Sequence, residues 1–462
     1  MYDAIIIGAG MSGLAAGIRL AQYEKRVCIL ERHTTIGGLN SFYRLRGRNY
    51  DVGLHAVTNF APRGPKKAPL PRVLRQLRLK WDDLALCPQR ESAIMFPGAT
   101  LRFSNDRRLL ESEVARVFPR QIDRYRRLVA GLVDYDDLVE DIYHLSARRV
   151  LGQYLTDQKL VEMLLCPTMW YGCACENDMH WGQFCILFRS IFLEGFARPL
   201  RGVRPLLKIL VKKFRGLGGE LMLRRGVKRI TLNGPRATGV ELENGEMLAG
   251  RVVVSSAGWP ETLRLAGTKT ENEADFGQMS FVEAISVLDT PLADLGHQRT
   301  IVFFNDSPQM TWRKCDDLCD PRTGVICCPE NFAYTGDTRR LDAARGMYRL
   351  TAIANFDRWK SLDPDAYQRA KNRWYNRLME SAVRFTPDVR GRVVDVDMFT
   401  PLTVERFTGK HNGAVYGSPT KRLDGRTPFE NLYICGNDQG YVGVVGALMS
   451  GIQIANRYLL AP

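Results

Sequence analysis

The chain has 462 residues, with 65 Lys and Arg against 50 Asp and Glu, which gives a formal net charge of +15. Hydrophobic residues make up 45% of it, which excludes an intrinsically disordered chain, and the length is typical of about three domains or of one domain with insertions. Every apolar run is shorter than the roughly 18 residues that span a bilayer, so we expect no transmembrane helix.

Cysteine usage, the N-terminus and the basic excess exclude several classes of protein. The 11 cysteines are scattered and lack the Cys-x-x-Cys pairing of zinc sites, which predicts reduced thiols and no bound metal. The N-terminus enters an apolar run directly, so we expect no signal peptide and a cytoplasmic location. The basic excess comes without a zinc-finger, helix-turn-helix or RNA-binding motif, so we expect no nucleic-acid partner.

The first twenty residues predict a strand, a glycine-rich turn and a helix. An apolar run at residues 3–7 leads into the turn, and helical periodicity follows at residues 14–21. In such a unit the three glycines permit the turn, admit a pyrophosphate and let the helix pack on the strand. The helix N-terminus then faces the phosphates. The predicted phosphate-binding residues are Gly8, Gly10, Met11, Ser12 and Gly13.

A second strand ends at Glu31, 18 residues after Gly13, where an acidic side chain can bind the ribose hydroxyls of a dinucleotide. A second glycine pair follows, and the run from Asp51 to His55 comes after a short pair of strands. At this point the chain resembles the two-domain FAD oxidoreductases, in which the second glycine pair packs beside the pyrophosphate. The further residues predicted to contact the cofactor here are Arg32, Gly37, Gly38, Leu39 and Asn40.

Two insertions separate the pieces of the predicted cofactor domain. The first is mostly helical by its periodicity, for example from Gln121 to Tyr143, and the second mixes strands with helices. We expect them to form a substrate domain. The predicted boundaries are 1–83, 198–269 and 396–462 for the cofactor domain, and 84–197 and 270–395 for the insertions.

Large apolar residues cluster in the first insertion. They can line a tunnel for a hydrophobic ligand or pack as a helical core, and the sequence leaves both interpretations open. The cluster comprises Met163, Leu164, Met169, Trp170, Tyr171, Trp181, Phe184, Phe188, Ile191 and Phe192.

Two basic segments bear on membrane binding. The segment from Val203 to Phe214 is amphipathic and cationic, so it predicts either a helix lying on an anionic bilayer or an ordinary surface helix. The segment from Arg63 to Lys80 is rich in proline and basic residues, and we expect it to form a mobile, membrane-facing loop.

The C-terminal sixty residues carry a second group of glycines. A run from Thr400 to Phe407 contains Glu405, a short strand precedes Gly436, and an apolar helix with a glycine-rich start closes the segment. Such a start can present backbone N–H groups to a ligand. The cofactor residues predicted here are Gly436, Asn437, Gly443, Val444 and Val445.

Together the two ends resemble the phytoene desaturase family, which includes carotenoid isomerases and retinol saturases, within the flavin amine oxidase-like superfamily. The resemblance implies bound FAD and an α/β fold: a Rossmann-type FAD-binding domain, a parallel sheet with helices, plus an inserted α+β substrate domain. It also implies that Val227 covers the adenine and that Ala257 lies at the cofactor. The family usually has Asp after Gly436, whereas this chain has Asn437 there and Asp438 next.

The resemblance further implies an FAD-dependent dehydrogenation of a carotenoid or another isoprenoid drawn from a membrane surface. Oxygen or a quinone is the expected electron acceptor, and His55 or Glu405 the expected proton acceptor. One alternative is a carotenoid cis-trans isomerase or a retinol-saturase-like reductase that uses reduced FAD. Others are a flavin amine oxidase and a non-catalytic carrier of prenylated proteins with the same fold.

Overall fold

The computed structural model describes residues 1–53, 55–60, 68–133, 144–270, 272–334 and 346–461. Its strands, in chain order, are β1 (Tyr2–Ile7), β2 (Val27–Glu31), β3 (Phe42–Leu45), β4 (Arg48–Asp51), β5 (Leu86–Pro88), β6 (Ser92–Phe96), β7 (Ala99–Phe103), β8 (Ala197–Pro199), β9 (Glu220–Leu223), β10 (Val227–Asn233), β11 (Arg236–Leu242), β12 (Met247–Ser255), β13 (Ser280–Leu288), β14 (Ile301–Asn305), β15 (Cys319–Cys327), β16 (Met347–Ala354), β17 (Val393–Phe399) and β18 (Leu432–Ile434). Its α-helices are α1 (Met11–Ala21), α2 (Pro69–Leu77), α3 (Arg107–Val117), α4 (Ile122–Val133), α5 (Ala147–Tyr154), α6 (Gln158–Gly172), α7 (Trp181–Phe188), α8 (Val203–Gly216), α9 (Trp259–Leu265), α10 (Phe356–Lys360), α11 (Pro364–Ala382), α12 (Pro401–Thr408) and α13 (Gly443–Ile454).

The first sheet is mainly parallel and belongs to the cofactor domain. Strands β18, β12, β1, β2 and β9 lie side by side in that order and run parallel. The antiparallel hairpin of β10 and β11 pairs with the first half of β12. Strands β1 and β2 are apolar and almost wholly buried, as is typical of parallel strands covered on both faces. The predicted Rossmann-type domain is confirmed.

Helices α1, α8 and α13 pack on one face of this sheet. Helix α1 approaches α13 so closely that a Cβ at Gly451 would lie 2.0 Å from the carbonyl oxygen of Ser12. A side chain at Gly451 would therefore push the two helices apart, which explains one glycine of the C-terminal helix.

The amphipathic segment that begins at Val203 forms α8, and its apolar face lies inside the protein. Its five large apolar residues at the predicted positions are buried, and the helix packs against α1. This face is therefore not available to a bilayer, and the surface-helix interpretation is correct for α8.

The prediction of a membrane-facing loop from Arg63 to Lys80 is wrong for its second half. Pro69–Leu77 forms α2, in which three leucines and one valine are buried against α13 and α1. Proline suits the first turn of a helix, where its missing N–H costs nothing, so a proline-rich start does not prevent a helix here. Residues 61–67 lie outside the described residues.

The second sheet is mainly antiparallel and belongs to the substrate domain, with the order β17-β13-β16-β15-β14-β6-β7. Strands β6 and β7 come from the first insertion, and β6 pairs in parallel with β14 from the second. The two insertions therefore build one α+β domain. The boundary placed at residue 395 falls within β17.

Helices α3 to α7 cover one face of the second sheet, and the large apolar cluster of the first insertion packs there as core. Phe184 and Phe188 are wholly buried and form a row of tilted and edge-to-face ring contacts with Phe192 and Phe103. Helix α4 covers part of the stretch predicted to be helical up to Tyr143, of which residues 134–143 lie outside the described residues. In the described part of the chain, no helix is both long and apolar enough to cross a membrane.

Candidate active site

The predicted cofactor residues gather at one edge of the first sheet, which we call the cofactor edge. Here β1 leads to Gly8, β2 ends at Glu31, β12 is followed by Ala257, and β18 is followed by Gly436. These are the carboxyl ends of four parallel strands, and ligands of open parallel sheets bind at this end.

The glycine-rich turn after β1 combines one tight contact with one open surface. A Cβ at Gly13 would lie 2.1 Å from the carbonyl oxygen of Gly8, so α1 can pack this close to the turn only with glycine there. A Cβ at Gly10 would meet no atom within 4 Å. Met11 and Ser12 begin α1, where backbone N–H groups have no partner within the helix. Open backbone at a helix N-terminus fits a pyrophosphate.

Glu31 is fixed at the end of β2 by two backbone donors. Its Oε2 accepts from the N–H of Ala9 and its Oε1 from the N–H of His33, each at 3.0 Å. The carboxylate thus stands where the ribose of a dinucleotide would reach it. The N–H of Arg225 donates to the Glu31 carbonyl at 2.9 Å, which brings Val227, at the start of β10, to the same end of the edge.

The second glycine pair packs on the first turn. The N–H of Gly37 donates to the carbonyl of Ala9 at 2.9 Å, and a 3-10 turn at Gly38–Asn40 follows. The carbonyl oxygen of Leu39 lies 2.5 Å from the position of a Cβ at Gly53, so the chain before His55 is held against this turn.

The residues after β18 divide between the cofactor edge and the protein core. Gly436 donates its N–H to the Ser450 hydroxyl at 2.6 Å, and Asn437 Nδ2 donates to the Val415 carbonyl at 2.8 Å. Gly443 begins α13 with φ of +71°. Two residues of α13 are buried in the core behind it: Val444 and Val445.

Both carboxylate oxygens of Asp438 accept hydrogen bonds from other parts of the protein. Its Oδ2 accepts from the N–H of Trp259 at 2.5 Å and from Lys410 Nζ at 3.3 Å, and its Oδ1 accepts from the N–H of Ser418 at 2.8 Å. Burial opposes its ionisation, but the ammonium groups of Lys410 and Lys421 outweigh burial and lower the pKa of Asp438. Asp438 therefore does not replace the Asp that the family usually has at position 437.

Arg32 reaches helix α12 rather than the open turn. Its Nη2 donates to the main-chain carbonyls of Arg406 at 2.7 Å and Glu405 at 3.5 Å. Glu405 thus stands beside the Glu31 end of the cofactor edge.

His55 lies in a buried polar cluster with residues of the second sheet. Its Nε2 is 3.1 Å and 3.2 Å from the two carboxylate oxygens of Glu283 on β13. The hydroxyl of Thr351 on β16 donates to Glu283 Oε2 at 2.8 Å. Only 5% of the Glu283 side chain is exposed, against 13% of the His55 side chain, so the imidazole is the more accessible member of the pair.

Arg349 keeps this carboxylate charged. Its Nε donates to Glu283 Oε1 at 2.5 Å, its Nη2 also contacts that oxygen, and Nη2 donates to the carbonyl of Val52 at 2.6 Å. Burial opposes the ionisation of Glu283, but the charge of Arg349 and the hydrogen bonds from His55 and Thr351 outweigh burial and lower the pKa of Glu283 to about 2.

A second buried ion pair, between Arg198 and Asp51, also holds the segment that carries His55. Arg198 on β8 donates from Nη2 to Asp51 Oδ2 at 2.5 Å and from Nη1 to the His55 carbonyl at 3.0 Å. Asp51 Oδ1 accepts from the N–H of Val203, the first residue of α8, at 3.0 Å. Both domains therefore hold the segment that carries His55.

Glu330 stands close to both arginines. Its Oε2 is buried and has no hydrogen-bond partner among the described residues. Burial raises the pKa of Glu330 to about 7, although backbone donors and the charges of Arg198 and Arg349 act in the other direction.

The aromatic core of the substrate domain reaches the cofactor edge at His55 and Gly443. The neighbouring residues Ala56 and Val442 belong to the same hydrophobic cluster as Trp170. A Cβ at Gly172 would lie 2.8 Å from a methyl carbon of Val442. The imidazole is therefore placed between the cofactor edge and a large apolar core.

Sequence reasoning missed Glu283, Arg349 and Arg198. A signal exists for two of them, because Glu283 and Arg349 are charged residues inside strands that are otherwise apolar and buried. Such residues are rarely buried unless they are paired.

A parallel sheet with this cofactor edge, joined to a second domain, defines an FAD-dependent oxidoreductase. The chain belongs to the family of flavin containing amine oxidoreductases, whose family model matches residues 11–459. The predicted FAD cofactor and the predicted superfamily are confirmed.

Relatives with known names share most of their length with this chain. It is 23% identical to all-trans-retinol 13,14-reductase of Danio rerio, over 99% of this chain and 86% of that protein. It is 22% identical to the chloroplastic prolycopene isomerase of Arabidopsis thaliana, over 99% and 82%. Among solved structures, an oxidoreductase from Methanosarcina mazei matches with a TM-score of 0.69 and 15% identity, over 98% of this chain and 100% of that one, and shares the fold.

Proposed function

We propose that this flavoprotein dehydrogenates a hydrophobic isoprenoid polyene and that His55 accepts the proton. The observation that carries this proposal is the position of His55, which is held by an ionised carboxylate between the cofactor edge and the aromatic core. A carboxylate beside an imidazole stabilises the positive charge that the ring gains with a proton.

The reaction needs two partners for the two hydrogens that leave. One carbon of the polyene loses a hydride, with two electrons, and the neighbouring carbon loses a proton, so that a new C=C bond forms. Bound FAD supplies the hydride chemistry, which no side chain can perform. His55 takes the proton, and the apolar residues where the aromatic core meets the cofactor edge hold the chain near the ring and exclude water.

The cofactor edge fits FAD, and each part of it has a role in this proposal. The residues from Gly8 to Gly13 hold the pyrophosphate through backbone N–H groups. Glu31 binds the ribose, and Val227 covers the adenine. The residues that complete the site are Gly37, Gly38, Leu39, Asn40, Ala257, Gly436, Asn437 and Gly443. The side chain of Arg32 reaches α12, and those of Val444 and Val445 lie in the core.

We assign the proton to His55 rather than to Glu405. Glu405 lies beside Arg32, near the carboxylate proposed to bind the ribose, whereas His55 adjoins the apolar core. Oxygen or a quinone is the proposed electron acceptor. The net charge of +15 supports transient binding to an anionic membrane surface, from which a water-insoluble polyene is taken.

A second candidate is the reverse reaction or an isomerisation, with reduced FAD. Two relatives that align over 99% of this chain support it, because one is named as a retinol reductase and the other as a prolycopene isomerase. In a reduction, an external donor first supplies two electrons, and His55 then gives its proton to the substrate.

An anaerobic absorbance titration separates these candidates. The purified holoprotein is mixed with liposomes that carry phytoene, prolycopene or all-trans-retinol. Bleaching of the oxidised flavin by phytoene, with a red-shifted product, supports dehydrogenation. A polyene that changes only after the flavin has been reduced with dithionite supports the second candidate. If none of the three changes in either state, the polyene proposal is wrong.

A further inference from the structure

We infer that Glu283 is a positioning residue that fixes the tautomer of His55, so that Nδ1 is the free, proton-accepting nitrogen. This inference rests on the proposed function, which gives His55 the proton. Glu283 itself acts only through the imidazole.

The hydrogen-bond pattern around the carboxylate carries this inference. An ionised carboxylate only accepts hydrogen bonds. Because His55 Nε2 lies within 3.2 Å of both Glu283 oxygens, Nε2 must carry the hydrogen. A neutral imidazole has one ring hydrogen, so Nδ1 keeps its lone pair.

The other neighbours of Glu283 only donate to it, and the oxygen of the Thr351 hydroxyl also lies 3.3 Å from His55 Nε2. Arg349 binds Oε1 through two nitrogens, and the Thr351 hydroxyl binds Oε2. The other titratable groups near this pair are Tyr43, whose hydroxyl donates to Asp397 at 2.6 Å, and Cys327, whose sulfur lies 3.9 Å from the His55 carbonyl oxygen. Burial raises the pKa of both Tyr43 and Cys327, so both stay neutral.

The substitution Glu283→Gln turns this geometry into a test. Arg349 can only donate, so the amide oxygen of Gln must stay on Arg349. The amide NH₂ then takes the place of Oε2, 3.2 Å from His55 Nε2, while the amide oxygen takes the place of Oε1 at 3.1 Å, so that Nε2 faces one donor and one acceptor. The side chain no longer holds the hydrogen on Nε2, and we expect a share of His55 to carry it on Nδ1, where the ring then cannot accept a proton.

The deciding measurement needs no substrate. Holoprotein labelled with ¹³C-histidine contains six histidines, and His55→Ala identifies the signal of His55. We expect the ring-carbon shifts of the wild type to report the Nε2–H tautomer and those of Glu283→Gln to report a clearly larger share of Nδ1–H. An Nδ1–H tautomer in the wild type, or the same share of Nδ1–H in both proteins, overturns the inference.

Turnover supplies the second readout, with the phytoene liposomes as probe. We expect Glu283→Gln to lower the rate of flavin bleaching by roughly 10²- to 10⁴-fold with unchanged FAD content, the range known for general bases and for a reversed histidine tautomer. Thr351→Val is the matched control, because it removes a neighbouring hydroxyl and leaves the carboxylate, and we expect it to keep the Nε2–H tautomer. If His55→Ala retains full turnover while Glu283→Gln raises the share of Nδ1–H, the proposed function fails and the positioning role stands.

Discussion

Single residues of this protein are constrained for different physical reasons, even within one motif. Gly13 is required by packing, since a Cβ there would lie 2.1 Å from the Gly8 carbonyl oxygen. Gly10 has open space around it and an ordinary φ of −74°, so the apoprotein does not need glycine at this position. Gly10 is left free for a ligand.

We predict that Gly10→Ala weakens FAD binding but leaves the stability of the apoprotein unchanged. The new methyl group points into space that is empty in the apoprotein and that the pyrophosphate needs. Thermal unfolding of the apoprotein and flavin absorbance after reconstitution check this prediction. Gly13→Ala, by contrast, should lower both the unfolding temperature and the flavin content. A stable Gly10→Ala protein with full flavin content would contradict the proposed phosphate site.

The sequence identifies His55 as a candidate but does not identify its partner. His55 stands next to a glycine motif, and this neighbourhood is visible in the chain. Glu283 is 228 residues away, and only the pairing of β13 with β16 brings it and Arg349 to the imidazole. Local patterns carry no information on such long-range contacts.

At the scale of elements, α8 shows why an amphipathic pattern does not decide between a membrane and a core. Both environments require the same apolar stripe with basic residues around it. The decision depends on whether another element covers the stripe, and here α1 and the first sheet do so. Strands and helices of the cofactor domain could be predicted, because their periodicity is local, whereas the joining of β6 to β14 could not.

We predict that Leu210→Ala in α8 lowers the free energy of unfolding by about 2–5 kcal/mol, the usual loss for a large side chain removed from a packed core. Leu210 is wholly buried. Urea unfolding at neutral pH measures the change. Lys208→Gln, on the exposed side of the same helix, serves as the control and should change stability by less than about 0.5 kcal/mol. Equal stability of Leu210→Ala and the wild type would show that α8 does not pack as described.

At the scale of the whole molecule, the two domains meet around buried charges. Arg198 and Arg349 both bind the segment that contains Val52 and His55, and Glu330 lies near both of them. The carboxyl of Glu330 has a pKa of about 7 in the folded protein and 4.5 as its ordinary value, so the folded state binds its proton more tightly. The protonated Glu330 carboxyl therefore contributes to the stability of the fold below pH 4.5, and this contribution is lost as the pH rises to about 7.

We predict that Glu330→Gln removes this pH dependence. Between pH 5 and pH 8 the stability of the variant relative to the wild type should rise by roughly 2–3 kcal/mol, since one pKa unit corresponds to about 1.4 kcal/mol. Urea unfolding of both proteins across this range measures the difference. Asp388→Asn is the control and should give a constant difference over the same range, because hydrogen bonds from Arg390 lower the pKa of Asp388 to about 2. A constant difference for Glu330→Gln as well would contradict the prediction.

The order of strands in the first sheet has a consequence for how the protein is made. Strand β1 has one neighbour, β2, close by in the chain, but its other neighbour β12 ends at Ser255, and β18 follows only at Leu432–Ile434. An apolar strand pair with an open edge is prone to aggregation until the next strand has paired with it. We therefore expect the first sheet, and with it the cofactor edge, to be completed only after β18 and α13 have formed, so that FAD binds late in folding.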